Sequence, residues 1–385
     1  MTDVSEFIPE DKKRKKNLNK ILDILERNGI DLDDVGKVQK INLYQGFYKD
    51  ADGEAQVVDM SGISFSPSWE DGPEWPVVQP SKPITIKPVA VKKSQPDDGY
   101  KRAVLLPDMQ IGYYFDKFNV MHPTHDEEAI NVALQLIQEI QPHVIVMHGD
   151  NLDFPELGKY RLTPAFARTT QATVDRGGLM AAQVRAAAPN AKIIWLEGNH
   201  ELRLSNYLLD NAAAAFGIKR ANVPNDWPVM SVPHLCRLDE YNVVYASGYP
   251  ANEFWLNDNF RIIHGTNVVS NGSTAHKYLA NERVSVAYGH IHRREWAERT
   301  VRHMNGSKTI VALSAGCLAR VDGSVPSTKG GMDLDGVPVP VVEDWQQGIA
   351  VLTYEENDGG VWPEQVVIRE GQALYHGKFF CAIVQ

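Results

Sequence analysis

From residue 100 onward, apolar and polar positions alternate between two periods. RAVLLP (102–107), HVIVMHG (143–149) and KIIWLEG (192–198) are short apolar runs of strand length. Between and after them, DEEAINVALQLIQEIQ (126–141), TTQATVDRGGLMAAQVRAAA (169–188) and ELRLSNYLLDNAAAAFG (201–217) predict helices, the last closed by Gly217. Further strands are expected at NVVYAS (242–247), FRIIHG (260–265), VSVAYGH (284–290), KTIVALSAG (308–316), GIAVLTYEE (348–356) and EQVVIRE (364–370). An alternating first half and a strand-rich second half predict an α/β fold, layered around mostly parallel sheets. Residues 316–347 form a long Gly/Pro-containing stretch, which at this length suits the border of a site better than a packed element.

The first hundred residues read differently. Leu18, Ile21, Leu22 and Leu25 recur at helical spacing and Gly29 supplies a stop. INLYQGFYK (41–49) and EAQVVDM (54–60) flank the turn at 50–53 and predict a β-hairpin. Prolines at 73, 76, 80, 83, 88 and 96 remove backbone donors and force extended geometry. The expected organisation is a small α+β region over 1–70, a Pro-rich linker or arm over 71–99, and the main domain over 100–385.

Charge and composition narrow the class. Lys+Arg 39 against Asp+Glu 49 leaves a net −10, with −4 on the first hundred residues and −6 on the rest. Neither part has the general basic field of a duplex-coating protein. The run Lys12–Lys16 reads either as a local nucleic-acid contact or as a solvated helix start. No run reaches the roughly 18–20 apolar residues of a membrane span, and the three cysteines show no paired framework. The expectation is a cytoplasmic protein with no membrane partner.

Candidate chemistry collects at strand ends, where open α/β sheets bind ligands. Five clusters each follow an apolar run: LPDMQIG, HGDNLD, EGNHE, IIHGT and YGHIHR. They offer oxygen and imidazole nitrogen and no thiolate, a donor set for manganese, iron, zinc or a similar ion. Strand alternation would aim His290 and His292 to one side, and likewise Asp108 and Gln110. Two cations about 3.5–4 Å apart need a shared carboxylate, and Asp150 is the candidate bridge.

The order D-x-(H/Q)…GDxxD…GNHE…H…GHxH resembles the calcineurin-like metallophosphoesterase family over about residues 100–370. The layout is also similar to phosphoesterases encoded by actinobacterial phages, which would place the protein in the host cytoplasm. The resemblance implies a four-layer α/β/β/α sandwich and two divalent ions, manganese first, with iron, zinc, nickel or magnesium as alternatives. One ion would be held by Asp108, Gln110, Asp150 and His292, the other by Asp150, Asn199, His264 and His290. It further implies hydrolysis of a phosphodiester, in nucleic acid or a nucleotide, by a hydroxide bridging the ions. His200 would contact the phosphate and help protonate the leaving oxygen. Gln110 departs from the family's usual His and is a weaker donor.

Other readings stay open beside these. Asp153 either orients His200 or caps the following helix. Arg203 either reaches a substrate phosphate or is solvated. His122 and His125 either line the pocket or face solvent, and Arg293 and Arg294 either meet substrate or face solvent. A phosphomonoesterase or phosphoprotein phosphatase is an alternative, although Phe154 stands where the GDxxDRG form has arginine. So is a catalytically weakened fold serving as a binding or structural protein, with Gln110 as its first sign.

Overall fold

A computed structural model of the chain describes residues 23, 26–27, 38–49, 52, 54–65, 98–159, 163–270, 272–304, 306–325, 331–334, 338–339 and 341–382. The chain divides into two compact units, Met1–Thr85 and Ile86–Gln385. In the first, β1 (Val38–Lys49) pairs antiparallel with β2 (Ala55–Phe65), from Lys49 opposite Ala55 back to Val38 opposite Phe65. The expected hairpin is therefore present and longer than its apolar core. The Lys12–Lys16 run and nearly all of the Pro-rich stretch 71–99 lie outside the described residues, as does most of the expected helix over 18–29.

The second unit is a mixed α/β structure. Its elements run β3 (Lys101–Leu106), β4 (Tyr113–Phe115), β5 (Met121–Pro123), α1 (Glu127–Ile140), β6 (Val144–Met147), α2 (Thr170–Ala187), β7 (Lys192–Leu196) and α3 (Leu202–Asn211). They continue with α4 (Val232–Leu235), β8 (Val243–Ala246), β9 (Phe254–Asn257), β10 (Phe260–Ile263), α5 (Thr274–Asn281), β11 (Ser285–Tyr288), β12 (Arg294–His303) and β13 (Gly306–Ala315). The last are β14 (Gly331–Met332), β15 (Pro338–Val339), β16 (Gly348–Tyr354), β17 (Val361–Arg369), β18 (Gln372–Tyr375) and β19 (Lys378–Cys381).

Two sheets dominate. The larger has eight strands in the order β19-β18-β17-β16-β3-β6-β7-β8, and the smaller has five in the order β12-β13-β11-β10-β9. The strands β3, β6, β7 and β8 are parallel, as are β10, β11 and β13. The remaining pairings in both sheets are antiparallel, so the sheets are mixed and not mostly parallel. The physical reason is that the C-terminal strands return through short turns, which only antiparallel neighbours allow.

Alternation along each strand assigns its two faces to different cores. Val104, Leu106, Ile145, Met147, Ile193 and Trp195 point into a core with Ile130, Leu136 and Ile137 of α1, Met180 and Val184 of α2, and Leu204 and Leu208 of α3. Ala103, Leu105, Val146, Ile194 and Leu196 point the other way, against Phe260, Ile262, Ala287 and Leu313 of the second sheet. The outer face of that sheet, through Val286, Tyr288, Ile310 and Ala312, is covered by Ala275, Tyr278 and Leu279 of α5. Fully burying side chains such as Leu105 and Phe260 stabilises the fold by about 1.5–3 kcal/mol each.

Helix ends follow local chemistry. Asp126 caps α1 by accepting from the N–H groups of Glu128 and Ala129, both at 3.0 Å, and Gln141 ends it at φ 48°. The helix expected to run to Gly217 stops at Asn211 and gives way to a short 3₁₀ turn at Ala213–Ala215. Ala212, Ala213 and Ala214 are exposed, and alanine's propensity does not hold a helix that has no face to bury. The polar edge strand β12 went unpredicted because REWAERTVRH lacks an apolar run; so did β9 and the terminal pair β18 and β19. Among the described residues no helix is long and apolar enough to cross a membrane.

Because the second unit carries these cores within itself, a chain beginning at Ile86 is expected to fold alone. Circular dichroism with a single cooperative urea transition checks this, and an insoluble or non-cooperative fragment would contradict it.

Candidate metal centre

Five loops, each leaving the C-terminal end of a parallel strand, converge between the two sheets. They follow β3 (Asp108, Gln110), β6 (Asp150, Asp153), β7 (Asn199, His200), β10 (His264) and β11 (His290, His292). The first three come from the large sheet and the last two from the small one. The aligning device is not strand alternation. Asp108, Gln110, Asp150, His290 and His292 lie just beyond their strands with φ of 33°, 49°, 48°, 70° and 56°. Non-glycine residues rarely adopt this left-handed region, and such strain concentrates where side chains must be aimed.

Two triads of donor atoms result, Asp108 with Asp150 and His292, and Asp150 with His264 and His290, the atoms of each lying within 4.8 Å of one another. Asp150 belongs to both. Its Oδ2 is 3.2 Å from Nε2 of His264 and 3.4 Å from Nε2 of Gln110, while its Oδ1 accepts the N–H of His200 at 2.9 Å. Oδ2 thus lies between His264 and Gln110, and Oδ1 is an anchor. Asp108 Oδ1 lies 3.3 Å from Nε2 of His292, and both its oxygens accept the N–H of His290, at 3.0 and 3.2 Å. Asn199 Oδ1 lies 3.3 Å from Nε2 of His264, whose Nδ1 donates to the His148 carbonyl at 2.9 Å. That bond leaves Nε2 as the ligating atom.

This donor set fits divalent cations. Gln110 Oε1 and His290 Nδ1 are buried with no hydrogen-bond partner, an arrangement that is costly unless something else satisfies them. The Gln110 amide presents Nε2 to Asp150 and, at 3.3 Å, to Nε2 of His292. A half-turn of the carboxamide would place its oxygen among the same atoms, the form a cation requires.

Glycine makes room for these carboxylates. A Cβ on Gly198 would sit 2.2 Å from Asp150 Oδ1, and one on Gly289 would sit 2.7 Å from Asp108 Oδ2.

Glu201 holds the Asp150 loop from behind. Its buried carboxylate accepts the N–H groups of Asp150 (3.0 Å), Asn151 (2.7 Å), Leu152 (3.2 Å) and Gly198 (2.9 Å), and the Trp195 indole at 3.3 Å. Sequence reasoning missed it, although the signal was present: a carboxylate directly after GNH, at the start of a helix. Two other contributors were also missed. Tyr249 stands edge-on to His264, ring centroids 5.7 Å apart, and Trp345 edge-on to His292 at 4.1 Å.

His200 sits beside the triads and not in them. Its Nδ1 is 3.0 Å from Asp153 Oδ1, and its Nε2 is 2.9 Å from Nη2 of Arg203. A guanidinium only donates, so Nε2 accepts and Nδ1–H donates to Asp153. Arg203 also donates to Asp153 Oδ1 at 2.9 Å. Of the two readings of Asp153, the orienting contact is therefore the one present, and Arg203 is one-sixth exposed beside it. The structure does not bring His125, Arg293 or His122 into this cluster. His125 is buried between Gly112 and Glu127, and Glu127 in turn is gripped by Arg176. Arg293 donates to the Val269 carbonyl and to Glu295, and His122 pairs with Asp116. Arg294 leads β12, where its N–H donates to Gln346.

Electrostatics favour a charged Asp150 despite burial. Burial opposes the charge, but His200, His264 and their hydrogen bonds hold the carboxyl well below the usual range. Burial likewise opposes charge on His264, yet Asp150 and then Asp108 push it up to about 10. Burial and the neighbouring His264 hold His290 down to about 4. Burial, and next Asp150, push Glu201 up, and the same two causes push the Tyr249 phenol up to about 12. No protein-family model matches the chain, and no curated protein matches it.

The two shifts fix the pH dependence of the metal-free protein. The Asp150 contribution to stability is present above its ordinary value and is lost as the pH falls through its depressed one. The His264 contribution is present below its ordinary value and is lost as the pH rises through about 10. At pH 7 His264 therefore carries a proton that a cation must displace, whereas His290 carries none. Calorimetric titration with Mn²⁺ in two buffers of different ionisation enthalpy should show about one proton released per chain, with affinity rising about tenfold per pH unit between pH 7 and about 9. Heats independent of the buffer would contradict it.

Proposed function

We propose that the Ile86–Gln385 unit is a two-metal phosphoesterase of the calcineurin-like metallophosphoesterase type, acting on phosphodiesters of nucleic acid or nucleotides. The observation that carries this is that Asp150 belongs to both donor triads, with its Oδ2 beside His264 and Gln110. On this reading the layers of helix, eight-stranded sheet, five-stranded sheet and helix α5 are that family's four-layer sandwich. Asp108, Gln110, Asp150 and His292 hold one divalent ion, and Asp150, Asn199, His264 and His290 hold the other, with manganese the first choice for an oxygen- and nitrogen-rich set. Such a pair, when bound, acidifies water and neutralises phosphoryl charge.

The chain's own residues do the rest. Asp153 fixes the His200 ring and tautomer, as a carboxylate does for a catalytic histidine. With Arg203 donating to it, Nε2 of His200 is an acceptor and has no proton to give. To protonate a leaving oxygen, Nε2 must first take a proton from water as Arg203 withdraws from it, while Nδ1–H stays on Asp153. The freed guanidinium becomes available to a phosphoryl oxygen. Poor leaving groups need that proton, which is why a diester of sugar alkoxides is the favoured substrate. Buried Phe154, in the place of the GDxxDRG arginine, weighs against a phosphoprotein phosphatase. Gln110, fully buried and within reach of both Asp150 and His292, weighs against a decayed centre.

The test pairs two substrates. With Mn²⁺ the protein should hydrolyse bis(p-nitrophenyl) phosphate and a dinucleotide, and chelation should abolish both activities. His200→Ala should lose about 10²–10⁴-fold on the dinucleotide and far less on the nitrophenyl ester, whose leaving group departs unaided. Equal losses would remove the general-acid role, and no hydrolysis by the Mn²⁺-loaded protein would remove the function.

A further inference from the structure

We infer that Tyr249 and Trp345 are the two walls of the substrate site and stack on unpaired nucleobases, one on each side of the scissile phosphodiester. The inference rests on the phosphodiesterase reading above and names its substrate: an unpaired dinucleotide unit, free or within a single strand.

The placement of the two rings carries it. Tyr249 adjoins His264, a donor of one triad, and Trp345 adjoins His292, a donor of the other. The centre is therefore flanked by an aromatic ring at each of its two positions. Both rings are half-buried, so each is seated but keeps an accessible part.

Each ring is also built into place. Glu197, a carboxylate only 6% exposed, accepts the N–H groups of Gly248 at 2.7 Å and Tyr249 at 3.0 Å, and the Tyr245 hydroxyl at 3.1 Å. Asn252 closes the same loop by donating to the Glu197 and Ala246 carbonyls, at 2.9 and 2.8 Å. The Tyr249 hydroxyl donates to the Gly265 carbonyl at 3.2 Å, which fixes the ring beside the loop that carries His264. Burying a carboxylate is costly, and here it holds a connection that is otherwise exposed at Ser247, Gly248 and Pro250. On the other side, Trp345 packs against Cys317, Ala319 and Val325. The next residue, Gln346, donates its N–H to the His292 carbonyl at 3.0 Å and accepts the Arg294 N–H at 3.2 Å. Both aromatic loops are thus tied by hydrogen bonds to the segments that carry the donor histidines.

The chemistry of the rings selects the partner. Neither supplies charge: the Tyr249 phenol stays protonated at neutral pH, and an indole is always neutral. What they offer is flat apolar surface with a polar rim, suited to planar heterocycles. Bases in a duplex already stack on each other, so unpaired bases are the ones available. The net charge of −10 also suits a short or single-stranded substrate better than a long duplex held through its backbone.

The test uses the full chain with Mn²⁺ on thymidylyl-thymidine, on its two analogues with one base replaced by hydrogen, on a thymidine decamer, and on methyl p-nitrophenyl phosphate. The protein should prefer the two-base substrate and accept the decamer. Tyr249→Leu and Trp345→Leu should each lower kcat/KM on it by roughly 5- to 150-fold, mainly through KM. Each should leave one base-lacking analogue unchanged within about twofold, a different analogue for each variant, since no stack remains there to lose. Tyr249→Phe, which keeps the ring, should behave nearly as wild type and guards against a folding defect. Methyl p-nitrophenyl phosphate should be unaffected by all three changes. If it is hydrolysed while the base-lacking analogues match the parent, the stacking inference is overturned and the phosphodiesterase reading stands. Equal losses on every substrate would reduce the two rings to supports for His264 and His292. Inertness on all five substrates overturns both.

Discussion

Asp150 is a carboxylate 1% exposed to solvent, charged, and shared between two groups of donors. A charge in that position is tolerable only if every lone pair is used, and the surrounding structure can be understood as the means of using them. The His200 N–H takes one oxygen and the donor side chains surround the other. Glu201 grips the backbone that carries the carboxylate, and the missing Cβ of Gly198 lets it approach. The packing of the two sheets through Leu105, Val146, Ile194, Phe260 and Leu313 then brings the β3, β6 and β7 loops of one sheet to the β10 and β11 loops of the other. Neither sheet alone completes either triad: His264, His290 and His292 come from one, Asp108 and Asp150 from the other.

Much of this was legible in the residues. Short apolar runs ending in Asp, Asn or His located the parallel strands and the side on which donors would gather. The grouping of Asp108, Asp150 and His292 apart from Asp150, His264 and His290 followed from family resemblance, and the atoms fall into the same two groups. What misled was the local rule. Alternation along a strand gave a right-seeming reason for His290 and His292 to act together, but both stand beyond β11 in left-handed conformations. Such backbone is set by tertiary contacts, here the N–H of His290 on Asp108, and leaves no periodic trace.

Most of the supporting residues were illegible for a related reason. Glu201, Glu197, Tyr249 and Trp345 act chiefly through contacts with residues 15 to 55 positions away, as from Tyr249 to His264, Glu197 to Asn252 or Trp345 to His292. Nothing in the neighbourhood of Glu197, Tyr249 and Trp345 marks them as other than ordinary polar and aromatic residues, whereas Glu201 has a local sign in its place directly after GNH at a helix start. His125 failed in the opposite direction: a histidine in a loop beside the first motif looked available, but burial and Glu127 make it part of the α1–α2 junction. The helix expected to reach Gly217 failed because propensity was counted without asking what its last turns would bury.

The proposed centre requires Asp150 to serve two cations at once. Metal content of the purified chain after equilibration with Mn²⁺ and removal of free ion measures this directly, in wild type, in His290→Ala and in Asp150→Asn. Two ions per chain are expected in wild type, one in His290→Ala, and fewer than one in Asp150→Asn, because the amide removes the charge that lets two cations coexist. Retention of two ions by Asp150→Asn would contradict the shared-carboxylate centre.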